Sequence, residues 1–384
     1  MKERWKNRLT QLEQAHLKRT LRVTGVGPKL YTSNGEKLIF CSNDYLGLAN
    51  SAEIANEIID ELSNGVGAGA SRLVSGNFPW HERLEESFSQ FVGRPASVLF
   101  PSGYQANVGA ISALTSEDDI IFSDRLCHAS IIDGCRLSKA TVEIFDHNNM
   151  DHLNRLLAQH NACKGGKLIV TEGIFSMDGD MPPLEDICVL AETHNAAIYL
   201  DEAHSLGILG PEGRGLAASL GVQNKIDILV GTFGKAIGVS GACVACSFDA
   251  AGLLKSTARS LMYTTAPAPA LSRAICKSLI LISAANALRD SLYQNIELFK
   301  SLAATAGIRL IPSDSPIQPV LIGDAKKTMH ISEELWKRGI FIQGIRPPTV
   351  ASGTERLRIT ISAMHTPTQI QRLVSELVCC GGST

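Results

Sequence analysis

The chain has 384 residues, 45% of them hydrophobic, which is enough apolar material for a large core. Its formal net charge of −2 offers no general attraction to nucleic acid or to an anionic membrane surface. No apolar run is long enough to span a bilayer, and Met1 to Arg8 lack the apolar stretch of a signal peptide, so a soluble cytoplasmic protein is expected.

Residues 1–22 read as a helical arm, with Trp5, Leu9, Leu12 and Leu17 near one face, packed on the body of the protein. Arg19 and Arg22 are its positions able to reach an anionic substrate. A short strand is expected over 37–41, followed by the polar turn Ser42-Asn-Asp-Tyr-Leu-Gly47. Gly65-Val-Gly-Ala-Gly-Ala-Ser-Arg72 is glycine-rich, but a helix precedes it and a third spaced glycine is missing. It is a loop beside a ligand rather than a dinucleotide fingerprint.

From residue 96 strands and helices alternate. A strand over 96–100 feeds a helix opened by Ser102-Gly-Tyr104, where backbone N–H groups suit a phosphate. Gly103 and Tyr104 are therefore phosphate candidates. Strands over 119–123 and 142–145 follow, the first leading to His128, then a helix over 150–162. Three apolar runs come next. Residues 167–171 lead to Glu172 and Ser176, residues 196–200 to Asp201 and His204, and residues 226–230 to Thr232 and Lys235.

The alternation predicts an α/β fold, a mostly parallel central sheet with helices on both faces. Past Ser247 the pattern turns helical, breaks at 263–269, and continues as one long helix over about 270–304. Strands over 317–322 and 356–361 with helices over 326–338 and 367–378 give a smaller α+β C-terminal domain. The expected division is 1–44, 45–285 and 286–384.

In open parallel sheets ligands sit beyond the carboxyl ends of the strands. Ends carrying Glu172 and Ser176, Asp201 and His204, and Thr232 and Lys235 converge on one crevice. A partly desolvated lysine has a lowered pKa and can form a Schiff base. Paired with an aspartate for a pyridinium nitrogen, it matches the needs of a pyridoxal phosphate (PLP) site.

Other chemistries fit worse. Gly231-Thr-Phe-Gly-Lys-Ala236 lacks the glycine spacing of a P-loop and the hydroxyl after its lysine. No G-x-S-x-G elbow occurs for a hydrolase. Ten cysteines without a secretion signal read as reduced thiols. Cys243 and Cys246 have the spacing of half a zinc site, but three apart on a strand their sulfurs diverge, so no metal is expected.

Six segments together resemble the α-oxoamine synthase family of fold-type I PLP enzymes over nearly the whole chain. They are Ser42-Asn-Asp-Tyr-Leu-Gly-Leu48, Ser102-Gly-Tyr-Gln-Ala-Asn107, His128-Ala-Ser130, Thr171-Glu-Gly-Ile-Phe-Ser-Met-Asp-Gly179, Asp201-Glu-Ala-His204 and Thr232-Phe-Gly-Lys235. Ile345-Arg-Pro-Pro-Thr-Val350, followed by Arg356-Leu-Arg358, is similar to the family's biotin-pathway branch. Ala68 and Ala70 depart from the Ser or Gly common in relatives, which bears on fine substrate contacts rather than on the chemistry.

The resemblance implies a role for each residue. Lys235 anchors the cofactor and carries the proton, Asp201 pairs with the pyridinium nitrogen, His128 stacks on the ring, and His204 bonds its phenolic oxygen. Gly103, Tyr104, Ser176 and Thr232 are further cofactor contacts, and Thr265 reaches the phosphate of the other subunit in a homodimer. Arg19, Asn43, His128, Arg346 and Thr349 are substrate contacts, with Arg346 receiving the amino acid's carboxylate.

The reaction implied is a decarboxylative condensation of L-alanine with pimeloyl-CoA or pimeloyl-ACP, releasing CO2 and thiol. Glycine with acetyl-CoA or succinyl-CoA, and serine with palmitoyl-CoA, are the rival pairs. A non-catalytic subunit of the same fold is the alternative of another class, and such subunits lack the lysine.

Overall fold

The computed structural model describes residues 1–32 and 35–382. Two compact units form. One comprises Met1–Gly47, Met177–Asp180 and Ala287–Thr384, the other Leu48–Ser176 and Met181–Asn286.

The first unit begins with α1 (Lys2–Gln14), shorter than the expected arm. No residue of α1 is buried, and Trp5 is 63% exposed. The expected packing of this helix on the body is thus corrected: its apolar face is open in the single chain. Strands β1 (Lys29–Thr32) and β2 (Gly35–Ile39) pair antiparallel.

The second unit opens with α2 (Ala52–Glu61) and α3 (Pro79–Val92). Strand β3 (Ala96–Phe100) leads into α4 (Gly103–Leu114), whose N-cap Ser102 accepts from the Gln105 N–H. Then come β4 (Ile120–Asp124), α5 (Ala129–Leu137), β5 (Thr141–Phe145), β6 (Lys167–Glu172), β7 (Ala197–Asp201), β8 (Ile228–Thr232) and β9 (Ala242–Cys246). They form one seven-stranded sheet in the order β3-β9-β8-β7-β6-β4-β5. Only β9 runs against the rest.

The strands read as continuous apolar runs because both faces are covered. Val98, Val170, Val230 and Val244 pack with Ala110 and Ile111 of α4, Ile131 of α5 and Leu254. Their strand neighbours Leu99, Ile169, Leu229 and Cys243 point the other way and are equally buried. Cys246 belongs to the first layer and Cys243 does not, so the two thiols diverge as expected. Among the described residues no cluster of His, Cys, Asp and Glu could hold a metal ion. No single helix among them is long and apolar enough to cross a membrane.

The long helix expected over 270–304 is two helices, Pro269–Ser283 and Asn286–Thr305. The run Ala284-Ala-Asn286 holds no glycine or proline to announce the break. In the first unit β10 (Ile317–Leu321), β11 (Ile340–Phe341), β12 (Gln343–Ile345) and β13 (Arg356–Thr360) complete the strands. β13 is central between β10 and β12, and β11 joins β2 in parallel. The three-residue β12 and the two-residue β11 are too short for a periodicity to register.

Candidate active site

The site of the second unit lies where β4, β6, β7 and β8 end. Asp201 is the last residue of β7 and is 5% exposed. Its Oδ1 accepts from the Ala203 N–H at 2.9 Å and its Oδ2 from Asn107 Nδ2 at 2.7 Å. Asn107 is held in turn by Tyr199, whose hydroxyl donates to Asn107 Oδ1 at 2.8 Å. A buried carboxylate needs such donors to remain charged.

The same amide reaches a second functional residue. Asn107 Nδ2 donates to Ser130 Oγ at 2.9 Å, and Ser130 Oγ lies 2.8 Å from His128 Nδ1. The Ser130 N–H also donates to Nδ1, which caps α5. Nδ1 is therefore an acceptor and the ring proton belongs on Nε2. His128 keeps an exposed surface while its inward nitrogen is enclosed. That lost hydration holds its pKa below the ordinary value, opposed by Asp201 and reinforced by Lys235.

Lys235 follows β8 and is half-buried. It acts electrostatically on both His128 and Glu172, so the structure brings Lys235, Asp201 and His128 together as the sequence suggests. His204 and Ser176 are buried beyond the ends of β7 and β6. Thr265 is exposed.

Whether the residues fit PLP can be judged from two features. Thr232 Oγ1 is buried without a protein partner, a donor in need of an acceptor such as a phosphate oxygen. A Cβ on Gly103 would stand 2.5 Å from Thr232 Cγ2, so only glycine lets the start of α4 approach that hydroxyl. Tyr104 is 49% exposed, and its hydroxyl donates to Asp133 Oδ2 at 2.6 Å, which fixes the ring beside the helix start. These residues fit the group.

In the first unit the expected substrate residues form two clusters. Arg19 donates to Thr349 Oγ1 at 3.0 Å, and Arg346 donates to the Lys18 carbonyl at 2.7 Å. Burial and Arg19 lower the pKa of Arg346, and its Nε has no partner. Asn43 stands apart: its Oδ1 accepts from the Tyr45 hydroxyl at 3.2 Å and from Arg358 at 3.1 Å. Burial pushes Tyr45 up to about 12 even with Arg358 beside it.

Asn107 and Arg358 carry no role in the sequence reading, and Glu172 stands at the crevice there without one. Each lies inside a quoted motif, but nothing in the type or spacing of a buried Asn or Glu announces a partner on another strand. Arg358 could have been suspected as a charge within an apolar strand, Leu357 to Ile361.

The opposite edge of the sheet holds a cavity of about 450 Å³, lined by Arg94, Asp119, Lys167, Ala197 and Ile228 among others. None of the expected site residues lines it. Size of cavity and location of chemistry part company in this fold, and the convergent polar groups are the better guide.

The family model described as aminotransferase class I and II matches residues 35–377. A relative from Trichlorobacter lovleyi, 8-amino-7-oxononanoate synthase, is 44% identical over 97% of this chain and 96% of its own length. Among solved structures, a serine palmitoyltransferase variant from S. paucimobilis with a bound PLP–myriocin aldimine superposes with a TM-score of 0.92. It is 28% identical and covers 98% of this chain and 96% of its own. The 8-amino-7-oxononanoate synthase structure from Francisella tularensis gives a TM-score of 0.78 at 29% identity, covering 89% and 97%. The chain belongs to the aminotransferase class I and II family, on its 8-amino-7-oxononanoate synthase branch.

Proposed function

We propose that this chain uses PLP to condense L-alanine with a pimeloyl thioester, of CoA or of acyl carrier protein, giving 8-amino-7-oxononanoate, CO2 and free thiol. Overall, a C–C bond forms between the alanine Cα and the thioester carbonyl, while the C–S bond and the bond to the alanine carboxylate break. PLP, when bound, supplies the electron sink that makes the Cα proton removable.

The chain's own residues do the rest. Lys235 anchors the cofactor and moves the Cα proton at its Nζ, a role suited to a half-buried amine. Asp201, oriented by its two N–H donors, pairs with the pyridinium nitrogen. His128 supplies a ring surface and His204 a bond to the phenolic oxygen. Gly103, Tyr104, Ser176 and Thr232 hold the phosphate end, and Thr265 serves the same end in the second subunit of a homodimer. In the first unit Arg346 receives the amino acid's carboxylate, Arg19 and Thr349 meet the acyl substrate, and Asn43 orients Arg358.

The observation that carries this reading is the single network running from Asp201 through Asn107 and Ser130 to His128, with Lys235 beside it. A non-catalytic subunit has no use for it. One methylene in an apolar pocket is worth about 1–3 kcal/mol, so weak activity with glycine is compatible with a preference for alanine. Specificity constants for alanine and glycine, each with pimeloyl-CoA and acetyl-CoA, test the substrates. The highest value belongs to alanine with pimeloyl-CoA, and a clear preference for glycine with acetyl-CoA contradicts it.

A further inference from the structure

Glu172 ends β6 as Asp201 ends β7, and the two are direct partners in the parallel register. Successive strands put such partners on the same side of the sheet. Two carboxyl groups thus lie side by side in a buried place, with Glu172 3% and Asp201 5% exposed. Like charges so placed do not both ionise without compensation.

Their donors are unequal. Asp201 accepts two N–H bonds. Glu172 accepts one, from the backbone N–H of His128 to its Oε1. Asp124, at the end of β4, adds a further carboxyl that bears on Glu172, while Lys235 opposes it. Of the two, Glu172 has the fewer donors for a negative charge, and the proton settles there. Burial and Asp201 together hold the Glu172 carboxyl well above the usual carboxylate range, in agreement with the count of donors.

The single bond that Glu172 makes has a consequence for the site. His128 is the N-cap of α5, and its ring is fixed from one side by Ser130. Its backbone carbonyl accepts from the Ile131 and Ile132 N–H groups of α5, which leaves the backbone N–H, and that is held by Glu172. We propose that Glu172 is a positioning residue that acts as a neutral acid: it fixes the His128 backbone, and so the ring, without placing a second negative charge beside Asp201. This assignment rests on the proposed function for its consequence, since a fixed ring matters where PLP binds. The hydrogen bond itself does not depend on it.

Neutral Glu has a close mimic in Gln, which keeps an acceptor oxygen on the same side-chain length. Glu172→Met keeps the length and loses the acceptor. The test compares wild type, Glu172→Gln and Glu172→Met by PLP titration of the cofactor-free protein, and by the pH dependence of the visible spectrum of the loaded protein. A second arm records the His128 amide in 15N-histidine-labelled, cofactor-free protein, assigned with His128→Asn.

Glu172→Gln should bind PLP within about threefold of wild type, with an unchanged pH dependence. Glu172→Met should bind about tenfold more weakly, the scale of one lost hydrogen bond, and shift the His128 amide signal upfield. A Gln variant that weakens binding tenfold or shifts the pH dependence overturns the neutral acid. A Met variant with wild-type affinity and an unmoved His128 amide overturns the positioning role. Should Glu172→Met not fold, the Gln variant decides. Failure of the wild type to bind PLP counts against the proposed function instead, and the amide signal then decides the role of Glu172.

Discussion

The two edges of the seven-stranded sheet are built from the same strands and do different things. At the carboxyl edge Asp201, Glu172 and Lys235 crowd into a place where each is answered by a named donor or by a neighbouring ionisable group. At the amino edge a cavity of about 450 Å³ opens, yet its charged groups are occupied with local structure. Asp119 accepts from the Gly166 N–H at 2.6 Å, and Lys167 donates to the His194 carbonyl at 3.0 Å. Asp227 accepts from the Ile198 N–H at 2.8 Å. Polar side chains that point at one another across strands mark function; polar side chains that bond the backbone of a neighbouring strand or helix mark folding.

Substitutions sharpen this contrast. The largest effect belongs to Lys235→Ala, which removes anchor and proton carrier together. Turnover should fall by at least about 10⁴-fold while circular dichroism stays that of the wild type. Turnover above a hundredth of wild type would move the chemistry elsewhere. Asp201→Asn comes next. Breaking one member of a buried charge pair costs about 3–5 kcal/mol, so kcat should fall by about two to four decades. Near-normal kcat would contradict its role.

Asn107→Ala touches no reacting atom but strips Asp201 of a donor and Ser130 of a partner. A hydrogen bond to a charged group contributes about 1.5–3 kcal/mol, so kcat/KM should drop about 10- to 100-fold. An unchanged kcat/KM would show that the network is structural only.

How much of this was legible beforehand follows the same divide. The strand ends that carry Asp201, Lys235 and His128 stand out because an apolar run stops at an ionisable residue, a pattern visible in one dimension. Asn107 sits in the middle of α4, four residues from the helix start, where an asparagine looks like an ordinary polar turn of helix. Its meaning comes from Tyr199 and Asp201, some 90 residues away in the chain. The break between Ser283 and Asn286 was hidden because its residues, two alanines, favour helix on both sides. The open apolar face of α1 was misjudged because periodicity reveals a face and not what covers it.

Outside the sheet, stability has its own pH dependence. His365 is buried in the first unit, with Nδ1 accepting from the Ser362 N–H and Nε2 bonded to the Ile39 carbonyl. Burial lowers its pKa from 6.5 to about 4. The unfolded chain thus takes up a proton before the folded one does. His365 imposes no penalty above pH 6.5, destabilises progressively as pH falls towards 4, and adds no further loss below that. Urea midpoints followed by tryptophan fluorescence should decline across this window, the corresponding unfolding free energy by a few kcal/mol at most. Midpoints level from pH 7 to 4 would contradict a neutral His365.

The smallest effect belongs to the amino edge. Arg94 lines the cavity, burial lowers its pKa, and its Nε has no partner. Arg94→Gln should leave kcat/KM within about twofold and change stability by no more than about 1 kcal/mol. A tenfold loss of activity would join the two edges functionally and dissolve the contrast between them.

The most direct measurement is chemical. Borohydride reduction of the PLP-loaded protein, followed by peptide mass mapping, locates the lysine bound to the cofactor. The pyridoxyl adduct should appear on the peptide containing Lys235. An adduct on another lysine, such as Lys167 at the opposite edge, would contradict the assignment of the chemistry to the carboxyl ends of the strands.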